Sequence, residues 1–286
     1  MRIVYSSDLH GNEAQYAKLF LAAAEHDADA LLIGGDIAPK HMAAQSFIEA
    51  QRRWYATLGA FLSLHHRKNL RTQVFVMMGN DDASANLPEL HEILERNGAF
   101  DIHGSRVRIG DTDIVGYSYV PPTPFGIKDW ELRDVPAGDP REAAWERRLG
   151  KRWYKKDGFR STPQGWVAAH DFPEISIAEQ LRAPLYTKEP RKTVFVFHSP
   201  PIMTKLDLTA RLEHVGSIAV RGFIERHRPL ITLHGHVHET VRVSGAYHER
   251  IGRTHCYASG NTDIGDELAY LLLDTAHGHA GKRFVV

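Results

Sequence analysis

Short apolar runs alternate with amphipathic stretches through the first hundred residues of the chain. The runs at Arg2–Ser6, 30–33 and 74–78 have the length and the β-branched or aromatic content of buried strands. Between them, the stretches at 13–26 and from 42 to about 64 place apolar side chains at helical spacing. This alternation of strand, loop and helix predicts an α/β sheet that is covered by helices.

Similar apolar and amphipathic segments follow along the rest of the chain. Leu87–Arg96 is a predicted short helix, and two apolar runs around Gly110 predict a hairpin. Thr193–Phe197 and 230–233 are predicted strands with a helix between them at 216–228, and 241–286 alternates like short antiparallel strands. Residues 117–192 interrupt the pattern and are rich in Pro, Trp and charge. We interpret them as a cap-like insertion in a single domain that spans 1–286.

The composition excludes several classes of protein. Hydrophobic residues are 43% and charged residues 24%, as in ordinary globular proteins. No apolar run reaches the roughly 18 to 20 residues that a membrane span needs, and the start, MRIVYSSDLHG, is typical of a strand rather than a signal peptide. A single cysteine, Cys256, favours a reducing, cytoplasmic location. Equal numbers of basic and acidic residues, 35 each, argue against broad nucleic-acid binding, and the oligomeric state cannot be predicted.

Residues of metal-binding type follow five of the predicted strands. In α/β sheets, ligands bind at the carboxyl ends of the strands, so these side chains are expected to meet. Each motif alone is common by chance, but five at successive strand ends are not. The candidate metal ligands are Asp8, His10, Asp36, Asn80, His198, His236 and His238.

Carboxylates, an amide and imidazoles together suit Mn, Fe, Zn or Ni and not a calcium cage. We therefore predict two divalent ions, with Mn or Fe favoured. Side chains two residues apart in an extended segment face the same way, which suits both Asp8 with His10 and His236 with His238. If Asp8 and Asp36 are the only anionic ligands, two ions leave the site at +2, and a bridging hydroxide leaves it at +1. Such a site attracts a phosphate group.

These residues, in this order, resemble the calcineurin-like metallophosphoesterase superfamily. The matching blocks are DLH at 8–10, GD at 35–36, GNDD at 79–82, His198, and GHVH at 235–238. The resemblance runs from residue 1 to about 275, apart from the insertion. The stretches FHSPPIMTKLD, HVGS and GHVHE are similar to the Icc-like branch of predicted phosphoesterases. The resemblance implies a central β-sandwich flanked by helices, a four-layer α/β/β/α arrangement, in place of a doubly wound sheet.

The resemblance also implies a ligand set for each ion, with one carboxylate shared. Asp8, His10, Asp36 and His238 would hold the first ion, and Asp36, Asn80, His198 and His236 the second. The implied activity is hydrolysis of a small phosphorylated substrate, in which a water shared by two ions attacks phosphorus in line with the leaving oxygen.

One position departs from the family pattern, because Asp81 stands where the G-N-H-[DE] block has histidine. A carboxylate would be repelled by phosphate. Asp81 therefore either turns away, or stays protonated and could itself act as the acid. Alternatively, Asp81 and Asp82 cap the helix that begins near Leu87 or line a loop. Loss of the histidine favours phosphodiesters or activated aryl phosphates, because their leaving groups need less help from an acid. The alternatives are a phosphomonoesterase for nucleotides or phosphoproteins, a nuclease that uses the basic segment 147–160, and a non-catalytic scaffold.

A loop between the last two ligand blocks holds a second candidate catalytic residue. His214 could replace the missing acid, with Lys205 and Arg211 beside it, or it could simply face water. Lys205, Arg211, Asn80 and Asn12 are the candidate substrate-binding residues. Asn12 is also suited to cap the helix that follows it.

Overall fold

The computed structural model describes residues 1–40, 47–68, 71–149, 155–262, 264–276 and 281–286. Its strands are β1 (Arg2–Ser6), β2 (Ala30–Gly34), β3 (Gln73–Met77), β4 (Phe100–Asp101), β5 (Arg106–Ile109), β6 (Thr112–Tyr117), β7 (Gly158–Thr162), β8 (Gly165–Ala169), β9 (Thr193–Phe197), β10 (Ile231–His234), β11 (His248–Ile251), β12 (Thr254–Ala258), β13 (Ala269–Asp274) and β14 (Lys282–Val285). Its α-helices are α1 (Glu13–Glu25), α2 (Phe47–Arg67), α3 (Leu87–Arg96), α4 (Pro140–Leu149), α5 (Ile177–Gln180), α6 (Pro184–Thr187), α7 (Ile218–His227) and α8 (Thr240–Ser244).

The strands form two six-stranded mixed sheets and a separate hairpin of β7 and β8. The first sheet has the order β14-β13-β1-β2-β3-β4, and the second has the order β11-β12-β10-β9-β6-β5. The central strands are parallel in both sheets: β1 with β2 and β2 with β3, then β6 with β9 and β9 with β10. The carboxyl ends of these strands therefore share an edge within each sheet.

Alternating side chains build the layers on either side of each sheet. In β1, Ile3 and Tyr5 belong to a buried cluster that joins both sheets, whereas Val4 packs in the cluster of α1, α2 and α3. In β9, Val196 belongs to the cluster between the sheets, whereas Phe195 packs against Phe223 of α7. The result is the predicted sandwich with helices on both outer faces.

Most predicted elements end within two residues of the observed bounds, and two places differ further. Helix α2 begins at Phe47 in the structure, and the predicted extension from residue 42 lies outside the described residues. The tail does not begin with a strand, because α8 occupies Thr240–Ser244 and Gly245, with φ 70°, ends it. The alternation in TVRVS is too short to distinguish a strand from a helix turn, so the prediction for these residues was wrong.

The insertion packs into the cores of the domain. Trp130 is buried in the helical layer of the first sheet, and its indole N–H donates a 3.0 Å hydrogen bond to the Asp82 carbonyl. Ile177 and Tyr186 lie in the cluster between the second sheet and α7. Residues 150–154 of the predicted basic segment lie outside the described residues. Among the helices that the structure describes, none combines the length and apolar character needed to cross a membrane.

Candidate metal centre

The loops that follow β1, β2, β3, β9 and β10 meet between the two sheets. Each of these loops carries one or two of the predicted ligands, so both sheets contribute to one site. Contacts of 3.8 Å or less connect the side chains of Asp8, His10, Asp36, Asn80, His198, His236 and His238 to one another.

The first predicted ligand set forms a compact group. One potential ligand atom from each of Asp8, His10, Asp36 and His238 lies within 4.8 Å of all the others. The Nε2 atoms of His10 and His238 are 3.2 Å apart, and Asp36 Oδ2 lies 3.8 Å from His10 Nε2. Such convergence of lone pairs is the arrangement that a bound cation would favour.

The second predicted set surrounds the amide oxygen of Asn80. This oxygen lies 3.0 Å from His198 Nε2 and 2.6 Å from His236 Nδ1. Asp36 Oδ2 is 3.3 Å from His198 Nε2, so the same carboxylate oxygen touches both groups. Asp36 is therefore placed where a bridging ligand would be needed.

Left-handed backbone conformations, and not the extended segments that the sequence predicts, hold this arrangement. Asp8, His10, Asp36 and His236 have φ values of 58°, 43°, 53° and 69°, in the left-handed region that residues other than glycine rarely adopt. Hydrogen bonds keep them there: the Asp8 N–H donates to the Gly35 carbonyl at 3.0 Å, and the His10 N–H donates to the Asp36 carbonyl at 2.9 Å. Strain of this kind concentrates at functional sites, because it must be held by surrounding structure.

Two glycines allow the loops to approach each other closely. A Cβ on Gly35, which has φ 105°, would lie within 3.0 Å of the His198 ring. A Cβ on Gly79 would lie within 3.0 Å of Asp36 and of His198 Cε1. Only a residue without a side chain fits at either position.

Neighbouring groups orient the predicted ligands. The Nδ1 of His198 lies 2.9 Å from the Gly34 carbonyl; donation there directs Nε2 towards the cluster. The Ser7 hydroxyl donates to Asp8 Oδ2 at 2.6 Å, and the His236 N–H donates to Asp8 Oδ1 at 2.9 Å.

Burial and neighbouring charges together set the pKa values of the predicted ligands. Burial opposes ionisation of Asp36, but the imidazoles of His198 and His10 bring the pKa of its carboxyl well below the ordinary value. Burial acts to lower the pKa of His198, but the Asp36 carboxylate raises it to about 9. Burial lowers the pKa of His236 to about 3, so this ring is neutral and has a lone pair to offer. Two carboxylates, an amide and four imidazoles fit a pair of divalent first-row ions.

Neither aspartate of the GNDD block caps the helix at Leu87, and Asp82 instead has the loop-lining role that the same alternative allowed. Asp82 is buried and accepts backbone N–H bonds from Ile37, Ala38 and Gly79 at 2.8–3.0 Å, which fixes the loop of Asp36. Asp81 remains at the site: its Oδ1 accepts from Asn80 Nδ2 at 3.0 Å. Burial and the nearby Asp36 raise the pKa of Asp81 to about 7.

Sequence reasoning missed Lys40, although it lies four residues after Asp36 on the same loop. Its ammonium is 3.1 Å from His10 Nε2 and 3.8 Å from Asp81 Oδ2. The signal available in the sequence was its closeness to the GD block, but a lysine at a predicted cation site has no obvious role. Its side chain is 21% exposed, so the ammonium lies mostly inside the site.

The remaining candidates have other partners in the described structure. His214 Nδ1 lies 2.7 Å from the buried Asp207 Oδ1, which holds the ring in its loop. Asn12 caps α1 by accepting from the Gln15 N–H at 3.1 Å, and its amide donates to the Gly265 carbonyl at 2.9 Å.

Lys205 and Arg211 are exposed, and the contacts of the described residues do not connect either side chain with the cluster. The catalytic role of His214 and the substrate-binding roles of Lys205, Arg211 and Asn12 stay predictions.

A cavity of about 540 Å³ adjoins the metal-ligand cluster at His238. Ile264, Val285 and Ala210 give it an apolar wall, and its charged lining residues are Arg242, Arg283, Glu239 and Glu267.

The sequence and fold comparisons agree with this geometry. The sequence model of the calcineurin-like phosphoesterase family matches residues 1–240. No curated protein is similar enough in sequence to match the chain. The TT1561 protein of Thermus thermophilus has a similar fold, with a TM-score of 0.58 and 19% identity over 100% of this chain and 97% of that chain. A dimetal phosphatase from Danio rerio is similar with a TM-score of 0.57 and 11% identity, over 100% and 98% of the two chains. At these identities the structures support the fold.

Proposed function

The chain belongs to the calcineurin-like phosphoesterase family and is a metal-dependent phosphoester hydrolase, and from that premise we propose that its preferred substrates are phosphodiesters. When bound, two divalent ions would supply Lewis acidity and lower the pKa of a shared water towards about 7. One ion would be held by Asp8, His10 and His238, the other by Asn80, His198 and His236, with Asp36 shared between them.

The residues of this chain then have distinct tasks. The backbone bonds of Asp82 hold the Asp36 loop, and the contact of His198 with Gly34 keeps Nε2 directed at the site. Because Asp36 contacts both ligand groups, it sets their separation. Rigid placement of this kind is what positions a nucleophile in line with the leaving oxygen.

The cavity beside His238 is the observation that carries the preference for diesters. A phosphodiester has a second organic substituent, which needs room outside the metal-ligand cluster. The cavity of about 540 Å³ provides that room, and the apolar side chains of Ile264 and Val285 suit an organic group. A small monoester leaves this space unused.

The test compares kcat/KM for bis(p-nitrophenyl) phosphate and p-nitrophenyl phosphate with the manganese-loaded protein. We expect the diester to be preferred. The substitution Ala210→Trp would narrow the cavity, and we expect it to lower kcat/KM for the diester about tenfold and to leave the monoester within about twofold. The matched control is Ala143→Trp, on exposed α4 and outside the cavity lining. A wild-type preference for the monoester would contradict the proposal.

A further inference from the structure

Lys40 brings a positive charge to a site that is built to hold two dications. Its ammonium lies 3.1 Å from His10 Nε2, an atom that is also placed to bind the first ion. A cation in that neighbourhood is unfavourable unless an anion compensates for it. Asp81 is that anion, because its Oδ2 lies 3.8 Å from Lys40 Nζ.

Hydrogen bonds from two other segments fix the backbone that leads into Lys40. The Ala38 N–H donates to Asp82 Oδ1 at 2.9 Å, and Gln51 Nε2 donates to the Pro39 carbonyl at 3.0 Å. A Cβ on Gly11 would collide with Pro39, so the two loops touch directly. These contacts therefore fix the position from which the Lys40 side chain extends into the site.

Asp81 is held in a matching position. Its Oδ1 accepts from the Asn80 side chain at 3.0 Å, and its own N–H donates to Asp36 Oδ1 at 2.8 Å. Asp81 is thus tied to two predicted metal ligands, to Asn80 by its carboxylate and to Asp36 by its backbone, and its other carboxylate oxygen is directed towards Lys40. A carboxylate is tolerated beside a phosphate site because Lys40 compensates for the charge of Asp81, so the ion pair, and not the carboxylate alone, faces the substrate.

His10 Nε2 has a single lone pair, which can serve either a metal ion or Lys40. Metal binding at His10 and the present Lys40 contact therefore exclude each other. Once His10 holds an ion, Asp81 is the partner that keeps the ammonium at the site. An ammonium has three donors, so one N–H can face Asp81 while another faces a phosphoryl oxygen.

We infer that Lys40, positioned by Asp81, is a catalytic residue that binds a phosphoryl oxygen of the substrate and supplies the positive donor that the histidine of the family motif would otherwise give. The inference rests on phosphoester hydrolysis at this site and not on whether a diester or a monoester is preferred. In this arrangement Lys40, on the loop after β2, binds the substrate, and Asp81, on the loop after β3, positions Lys40.

The experiment compares Lys40→Met, Lys40→Arg and the control Lys192→Met, whose ammonium pairs with Glu189 at 3.0 Å at the surface. Three quantities are measured for each protein: the Mn²⁺ affinity of the metal-free form by calorimetry, kcat/KM on whichever ester the wild type hydrolyses faster, and the inhibition constant of inorganic phosphate. Thermal unfolding checks that each variant is folded.

Lys40→Met should lower kcat/KM about 10²-fold, as loss of one donor to a developing oxyanion does, and should weaken phosphate inhibition about tenfold. Its Mn²⁺ affinity should be equal to or higher than that of the wild type, because a repelling charge has gone. Lys40→Arg should retain part of the activity, and Lys192→Met all of it. Unchanged kcat/KM in Lys40→Met, or a loss explained by weaker Mn²⁺ binding, would overturn the inference.

Asp81→Asn tests the positioning role separately. If Asp81 acts through Lys40, the double variant with Lys40→Met should be no less active than Lys40→Met alone. Independent, multiplicative losses would overturn the pairing. Because these comparisons use the ester that the wild type prefers, a preference for monoesters would refute the proposed substrate class without affecting the result for Lys40.

Discussion

The sharpest test of the site geometry is Gly79→Ala, which adds one methyl group between two loops. Gly79 does not have a positive φ, so alanine suits its backbone and the effect must come from contact alone. The new Cβ would meet Asp36 Oδ1, the Asp36 backbone nitrogen and His198 Cε1, all within 3.0 Å. The methyl group would therefore push on the carboxylate that contacts both ligand groups.

The size of the displacement follows from these distances. Ordinary van der Waals contact begins at 3.4 Å, so the Asp36 side chain would have to retreat by about 1 Å. Asp36 has little freedom to do so, because its carbonyl accepts from the His10 N–H and its Oδ1 from the Asp81 N–H. A misplacement of about 1 Å can lower a rate about 10²-fold, and overpacking costs about 1–3 kcal/mol of stability.

The assay is Mn²⁺ titration of the metal-free protein by calorimetry, followed by kcat/KM with excess metal. We expect Gly79→Ala to bind Mn²⁺ more weakly and to lose about 10²-fold in kcat/KM. The matched control is Gly222→Ala in α7, where a Cβ meets nothing within 4 Å and should raise the free energy of unfolding by about 0.5–1 kcal/mol. Wild-type Mn²⁺ affinity and activity in Gly79→Ala would refute the placement of Asp36 and His198.

Three further predictions concern groups outside the ligand set. His214→Ala removes a hydrogen-bond donor from the buried Asp207 carboxylate and should lower the free energy of unfolding, measured in urea, by about 1–3 kcal/mol. If kcat of this variant also became dependent on the leaving-group pKa, the predicted acid role of His214 would be confirmed. Burial raises the pKa of the Cys256 thiol to about 12, so at pH 8 it should react with a disulfide reagent only after denaturation. Burial raises the pKa of Asp134 to about 6, so the folded state retains this proton to higher pH than the unfolded chain does. The free energy of unfolding should therefore fall as the pH rises from about 4 to about 6, and Asp134→Asn should remove that pH dependence.

The central strands could be predicted because both of their faces are buried. Apolar runs such as Thr193–Phe197 have no competing explanation, and the observed bounds of β1, β9 and α3 equal the predicted ones. The split into two sheets does not follow from the local pattern, since β3 of the first sheet (QVFVM) and β9 of the second (TVFVF) look alike in sequence. That division depends on which strands pair, and here the family resemblance supplied it. Prediction fails for short segments such as α8, because five residues are too few to distinguish the period of a helix from that of a strand.

The convergence of the candidate ligands could be predicted, since strand ends confine these residues to one edge and the motif fixes their order. Lys40 and Asp82 could not, because their roles depend on contacts between loops that are distant in sequence. Asp82 lies 45 residues from Ile37, whose N–H it binds, and Asp81 lies 41 residues from Lys40. A lysine considered alone is a surface residue, and an aspartate considered alone is a turn residue. The contacts of Lys40 with His10 at 3.1 Å and with Asp81 at 3.8 Å arise only in the folded chain, and the inference for Lys40 depends on them.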